Sequence, residues 1–143
     1  MSIYTLSYTS KNLIEDLTTD SLGAVNSLLE VARSRNAAGG VTGALMFNEG
    51  RFTQILEGSE AAVSAIFKSI REDTRHTDVS VIATQTIENR RFQIWAMAFV
   101  GKSDSARRYY QGIVGSPDFE WKRVNNDKLC QLLLELIELD AVA

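Results

Sequence analysis

The sequence predicts an α+β protein in which a five-stranded mixed sheet carries helices on both faces. Three observations predict this fold. Segments with alternating apolar residues, typical of strands, are interleaved with segments whose apolar residues recur every three or four positions, typical of helices. A glycine-containing turn joins two of the strand-like segments as a hairpin. At 143 residues, the chain has the length of one domain.

The first half of the chain contains one strand, one helix and the hairpin. Residues 2–9 alternate and predict the first strand. N-cap candidates at 18–21 precede an apolar helical stripe, and two glycines after Asn36 end this first helix near that residue. Apolar runs at 41–47 and 52–56 flank the turn and predict the two strands of the hairpin.

The second half begins with a helix capped by Ser59, whose apolar residues fall at i, i+3, i+4 and i+7 from Val63. We expect this helix to stop within residues 73–76, in a polar loop. Strands follow at 79–87 and 92–100. The predicted order is a ferredoxin-like βαββαββ, with the first and third strands as central neighbours and both helices on one face.

The C-terminal region predicts two further helices, one at 103–113 and one along the apolar stripe that begins at Leu129. The fifth strand is apolar on both sides, so the sheet face opposite the first two helices also needs cover. We expect the C-terminal helices to supply it.

Composition argues against several classes of function. The net charge of −3 disfavours a protein that binds nucleic-acid phosphates. With one histidine, His76, and one cysteine, Cys130, the chain has no multi-histidine or cysteine-only metal site, and we expect no metal. No apolar run approaches the length of about 18 residues that predicts a membrane span. We therefore expect a cytoplasmic protein that binds neither nucleic acid nor membrane.

One amide side chain in the hairpin is unusual because alternation places it among apolar neighbours. Gln54 shares a strand face with Phe52 and Leu56, and a buried amide left unpaired costs about 1–3 kcal/mol. Tyr8, near the end of the neighbouring first strand, is expected to project into the same space between sheet and helices. Taken singly, each has an ordinary explanation, Tyr8 as a core ring and Gln54 as an amide that bridges backbone groups.

Several further positions also have ordinary explanations when taken singly. Asn36 suits a helix C-cap, His76 suits a solvated loop, and Trp95 with Met97 suits a strand core. Taken in order, however, the set resembles the BLUF family of flavin-based blue-light sensors. The matching positions are Tyr8, Asn36, Gln54, Arg75, His76, Trp95 and Met97.

The strongest part of the resemblance is Asn36 ahead of Val41-Thr42-Gly43, followed by Gln54 within FTQILEG. The resemblance extends from about residue 2 to residue 100. It implies a flavin-binding photosensor domain at 1–101 and a C-terminal helical extension at 102–143 that belongs to the same structural unit.

The resemblance also implies a flavin held between the first two helices, usually FAD, with FMN and riboflavin as alternatives. Asn36 is expected to bond the ring near its C4 carbonyl, and Gln54 to lie between the ring and Tyr8. Apolar walls are expected from the helices, and polar contacts at the pyrimidine edge from the end of the second helix. The cofactor-binding residues implied are Tyr8, Leu28, Asn36, Gln54, Ile70, Asp73, Arg75, His76 and Met97.

The function that the resemblance implies is light sensing without turnover chemistry. The excited flavin takes an electron and a proton from Tyr8, and the Gln54 amide ends rotated or tautomerised, which red-shifts the flavin absorption. Trp95 and Met97 are expected to exchange positions beside Gln54. The change then reaches a separate effector protein through the sheet and the C-terminal helices. The sequence leaves open whether the protein forms a homo-oligomer.

Other classes of protein share the predicted topology. A small hydrolase of the acylphosphatase type needs a phosphate-cradling loop, and no glycine-rich loop follows the first strand. A ferredoxin-like module that binds RNA needs a basic face with exposed aromatic rings, whereas this chain is acidic. A ferredoxin-like protein-binding module is a further alternative.

Overall fold

The sheet of the computed structural model has the strand order β4-β1-β3-β2-β5. Its strands are β1 (Ile3–Asn12), β2 (Thr42–Asn48), β3 (Arg51–Gly58), β4 (His76–Ile87) and β5 (Ala98–Val100). Neighbours are antiparallel except β2 and β5, which are parallel. The predicted five-stranded mixed sheet is therefore confirmed, and so is the central pairing of the first and third strands.

The structure describes residues 2–12, 30–32, 34–48, 51–73, 76–92, 98–100, 108–109, 111–113 and 125–142. Among these the helices are α1, seen at 30–32 and 34–38, α2 (Glu60–Glu72) and α3 (Asn126–Val142). Residues 108–109 and 111–113 are also helical and lie within the predicted third helix.

The ends of the helices follow local sequence signals. Gly40, just after α1, has a φ of 67°, the left-handed conformation that terminates many helices. The Ser59 hydroxyl caps α2 by accepting a hydrogen bond from the Ala62 N–H at 3.2 Å, as predicted. Asn125 caps α3, because its Oδ1 accepts from the Lys128 N–H at 2.8 Å. Each cap satisfies a main-chain donor that the helix itself leaves unpaired.

The start of β4 differs from the prediction. His76 was expected in a polar loop, but it is the first residue of β4 and pairs with Asn12. The prediction is wrong because β1 extends to Asn12 rather than stopping near residue 9, and main-chain pairing with it overrides the polar composition of the segment.

Two apolar cores lie on opposite faces of the sheet. The first core is formed by strand residues, α2 and the residue that precedes β2: Leu6, Tyr8, Val41, Leu45, Phe52, Leu56, Val63, Ile66 and Ile70. The second core joins the other face to α3: Ala44, Met46, Ile55, Phe92, Leu129, Cys130, Leu132, Leu133 and Leu136. The predicted cover of both faces is thus confirmed for α2 and α3.

Gly43 sets the distance between the two strands of the hairpin. A Cβ at this position would lie 1.9 Å from the main-chain oxygen of Ile55, far inside van der Waals contact. Glycine therefore permits the close approach of β2 and β3 on which the position of Gln54 depends.

Candidate functional site

The centre of the first core contains a hydrogen-bonded polar pair. Tyr8 in β1 and Gln54 in β3 are directly opposite in the strand register, and each is 3% exposed. The Tyr8 hydroxyl donates to Gln54 Oε1 at 2.5 Å. The alternation of both strands places these side chains on the face that α2 covers, so the sequence had correctly predicted that they share this space.

The surroundings of Tyr8 keep its hydroxyl protonated. Burial raises the pKa of Tyr8 well above its ordinary value; the charge of Arg35 lowers this pKa and that of Asp73 raises it. The ring packs against Phe67 with centroids 5.6 Å apart and planes tilted by 49°. Tyr8 is therefore a neutral, fixed hydrogen-bond donor at neutral pH.

Asn36, at the end of α1, is fully buried together with its side-chain amide. Its main-chain oxygen accepts from the Val41 N–H at 2.8 Å, which fits an ordinary helix end. Among the described residues, however, neither Nδ2 nor Oδ1 finds a hydrogen-bond partner. A buried amide without partners is unfavourable by itself, so this side chain suits a polar ligand that brings both a donor and an acceptor.

The structure brings together only some of the other predicted site residues. Ile70 is buried in the same core as Tyr8, and Asp73 is half-buried at the end of α2. Leu28, Arg75, Trp95 and Met97 lie outside the described residues, as does the side chain of His76.

Sequence analysis missed two charged residues that hold the connection between β4 and β5. Glu57 is fully buried on the face opposite Gln54, and its Oε1 accepts from the N–H groups of Arg91 at 2.8 Å and Phe92 at 3.0 Å. This connection leads into residues 93–97. A carboxylate inside an apolar strand was the signal in the sequence, because such a group needs buried donors.

The second missed residue, Arg90, binds three acceptors in two separate segments of the chain. Its guanidinium donates to the main-chain oxygens of Gly40 at 2.7 Å and Glu57 at 2.9 Å, and to the Thr42 hydroxyl at 2.8 Å. Arg90 thereby ties the turn after Asn36 to the end of β3. Nothing in the local sequence marks it, because all three partners are distant along the chain.

The chain matches a protein-family model described as sensors of blue light using FAD, over residues 3–98. The chain belongs to the BLUF family. The BLUF domain is a flavin-binding blue-light sensor rather than an enzyme, and the hydrolase and RNA-binding alternatives are set aside.

Curated relatives agree with the family. The chain is 35% identical over 68 residues to the blue light- and temperature-regulated antirepressor BluF of Escherichia coli K12, covering 48% of this chain and 17% of that protein. It is 38% identical over 64 residues to the photoactivated adenylate cyclase subunit alpha of Euglena gracilis, covering 45% of this chain and 6% of that protein. The match thus covers a small part of each relative.

Solved structures resemble most of the chain. The photo-activated state of BlsA has a TM-score of 0.78 and 28% identity, covering 96% of this chain and 95% of that one. The dark state of the BLUF protein BlrB has a TM-score of 0.72 and 25% identity, with 97% of both chains covered. In the described part of the chain, no helix is long and apolar enough to cross a membrane.

Proposed function

We propose that this BLUF protein senses blue light through Tyr8 and Gln54, with Asn36 as the main polar anchor of the flavin. The observation that carries the proposal is the buried hydrogen bond from the Tyr8 hydroxyl to Gln54 Oε1, at 2.5 Å. The pair lies in the core beneath α2, on the sheet face that the family resemblance assigns to the cofactor.

The residues at this site suit a flavin. The Asn36 amide, which has no hydrogen-bond partner among the described residues, offers a donor and an acceptor to the ring edge, where a carbonyl and an N–H are adjacent. Ile70 and Leu28 are proposed as apolar walls, with Asp73, Arg75 and His76 at the pyrimidine edge and Met97 near Gln54. FAD is the family's cofactor, and FMN and riboflavin are alternatives for the bound form.

When bound, the flavin absorbs blue light and supplies an acceptor for one electron. The chain supplies the rest of the chemistry. Tyr8 is the electron and proton source, and its hydroxyl proton already lies on the line to Gln54 Oε1. While that proton is away from Tyr8, the Gln54 amide has a changed partner and rotates or tautomerises. The electron and the proton then return to Tyr8, so no net oxidation remains. Gln54 is thereby the residue that stores the signal.

The spectrum of the purified protein before and after blue light tests this proposal. We expect a flavin spectrum that shifts modestly to the red and returns in the dark. Gln54→Leu should keep the flavin and lose the red-shifted state, whereas the control Ser69→Ala, on the exposed side of α2, should behave as the unmodified chain does. A chain that stays colourless after reconstitution with FAD, or a Gln54→Leu variant with a full red shift, would contradict it.

The output is proposed to run through the C-terminal extension, 102–143, to a separate effector protein. Trp95 and Met97 are proposed to pass the change from Gln54 into the fifth strand, which lies beside β2. α3 covers the far face of the sheet and contacts β1, β3, β4 and β5, which supports a relay from the sensor domain, 1–101, into this helix. BLUF proteins signal to effectors or partners.

The partner itself is best sought by capture from cell extract in darkness and in blue light, compared side by side. A protein retained in only one of the two states would fit the proposal, and equal retention in both would count against a light-controlled partner. A cytoplasmic location belongs to the same proposal, supported by a single cysteine that forms no intrachain disulfide. Homo-oligomerisation is to be measured in both states.

A further inference from the structure

The pairing of β1 with β4 is irregular at the photochemical tyrosine. Ser7 is opposite Ala83, but the next residue, Tyr8, is opposite Val81, so Ile82 is an extra residue in β4. A bulge of this kind bends the strand and redirects the neighbouring side chains. The bulge in β4 therefore lies directly beside the segment of β1 that carries Tyr8.

A side chain from α3 binds both strands at this bulge, on the sheet face opposite Tyr8. The Ser7 hydroxyl donates to Asn126 Oδ1, and Asn126 Nδ2 donates to the main-chain oxygen of Ala83 at 3.4 Å. The Ser7 oxygen also lies 3.4 Å from the Ala83 oxygen, but its single proton serves the shorter contact to Asn126. The Asn126 amide thus bridges β1 and β4 with one acceptor and one donor.

This bridge is buried and is not part of the helix cap. Ser7 is fully buried and Asn126 is 1% exposed. Capping of α3 is performed by Asn125, whose side chain accepts from the Lys128 N–H. The amide of Asn126, the first residue of α3, is thus directed at the sheet, where it pairs with the Ser7 hydroxyl and the main-chain oxygen of Ala83.

We propose that Asn126 is a positioning residue for Tyr8. By holding Ser7 and Ala83 at the bulge, its amide fixes β1 in the arrangement that directs the Tyr8 hydroxyl at Gln54. This inference rests on the proposed function, because it treats Tyr8 and Gln54 as the photochemical pair. Since coupling between two sites is reciprocal, the state of that pair also changes how firmly the first turn of α3 binds the sheet.

Three variants of the full chain separate this role from simple loosening of the helix. Asn126→Asp keeps the shape and suits the first turn of a helix, but it replaces the Nδ2 donor with an oxygen facing the Ala83 carbonyl. Ser7→Ala removes only the hydroxyl and carries the test if Asn126→Asp does not fold. Asn125→Ala is the matched control, because it removes the helix cap and leaves the bridge in place.

The first measurement is dark recovery of the flavin-loaded chain after blue light. Ser7→Ala and Asn126→Asp, the two bridge variants, should recover about fivefold more slowly, because the arrangement to which Tyr8 returns is less well held. The control Asn125→Ala should recover at the rate of the unmodified chain. The double variant Ser7→Ala with Asn126→Asp should be no slower than the slower single variant, because both changes break one bridge. Unchanged or faster recovery in the bridge variants, or additive slowing, would overturn the inference.

The second measurement needs no photocycle. In the full chain without flavin, labelled with ¹³C at the tyrosine Cζ, the Tyr8 resonance is identified among the four tyrosines by its loss in Tyr8→Phe. It should shift in both bridge variants and stay in place in Asn125→Ala; a Tyr8 resonance that does not move in the bridge variants overturns the inference. If the unmodified, flavin-loaded chain shows no light-induced red shift of its absorption, the proposed function fails together with this inference. A normal red shift, combined with bridge variants whose dark recovery and Tyr8 resonance are unaltered, overturns the inference alone.

Discussion

Removing the Tyr8 hydroxyl should reveal how strongly Tyr8 and Gln54 depend on each other. Tyr8→Phe deletes the hydroxyl that donates to Gln54 Oε1, and Gln54 itself is only 3% exposed. Such a loss costs about 1–3 kcal/mol of unfolding free energy. Gln54→Leu leaves the buried Tyr8 hydroxyl without its acceptor and should cost a similar amount. Replacing both partners removes the pair without leaving either group unsatisfied.

The assay is equilibrium unfolding in urea of the flavin-free chain, because a bound flavin would add its own stabilisation. The double variant should lose little more than the worse single variant, which corresponds to a coupling energy of about 1–3 kcal/mol. Ser69→Ala, exposed on α2, is the control and should change the unfolding free energy by less than about 0.5 kcal/mol. A double variant whose loss equals the sum of the two single losses would refute the reasoning, since it would mean that the two side chains are stabilised independently.

Three further predictions concern other parts of the protein. Asn36→Ala should weaken FAD binding roughly 5- to 150-fold, measured by flavin fluorescence titration. The same change should leave the unfolding free energy of the flavin-free chain unchanged or higher, because the amide has no partner among the described residues to lose. Glu57→Ala should lower the unfolding free energy by about 2–4 kcal/mol, because two main-chain N–H groups lose their acceptor. Glu57→Gln should retain most of the stability through its remaining oxygen. Equal losses of unfolding free energy in the two variants would contradict this role. Burial raises the pKa of the Cys130 thiol from 9.0 to about 11, so its contribution to stability is complete below pH 9 and is lost as the pH rises toward 11. In urea unfolding across this pH range, the unfolding free energy should fall more steeply with pH for the unmodified chain than for Cys130→Ala, by at most about 1.4 kcal/mol per pH unit. Parallel curves of unfolding free energy against pH would contradict this prediction.

Much of the fold was predictable because its signals are local. The hydroxyl of Ser59 caps α2 through a bond three residues away, and the periodicity from Val63 to Ile70 places one face of that helix in the first core. His76 was misplaced for the complementary reason: its neighbours along the chain are polar, while the pairing that makes it a strand residue comes from Asn12.

The candidate site was predictable only in part. Alternation determines that Tyr8 and Gln54 face the same side of the sheet, and the resemblance to the BLUF family supplied the flavin. Alternation does not determine the register, however, and the hydrogen bond joins residues 46 positions apart. Arg90 went unnoticed because a guanidinium can bind any carbonyl that the fold brings near it.

The sequence by itself determined which residues alternate or recur, and therefore which side chains face each core, because these periods are properties of a single strand or helix. The tertiary structure alone decided the offsets between strands and the contacts of the C-terminal helix. The bond between Ser7 and Asn126, 119 residues apart, depends on how α3 docks over the sheet and on one extra residue in β4. No local pattern encodes that docking, because it results from the packing of the whole second core against the sheet.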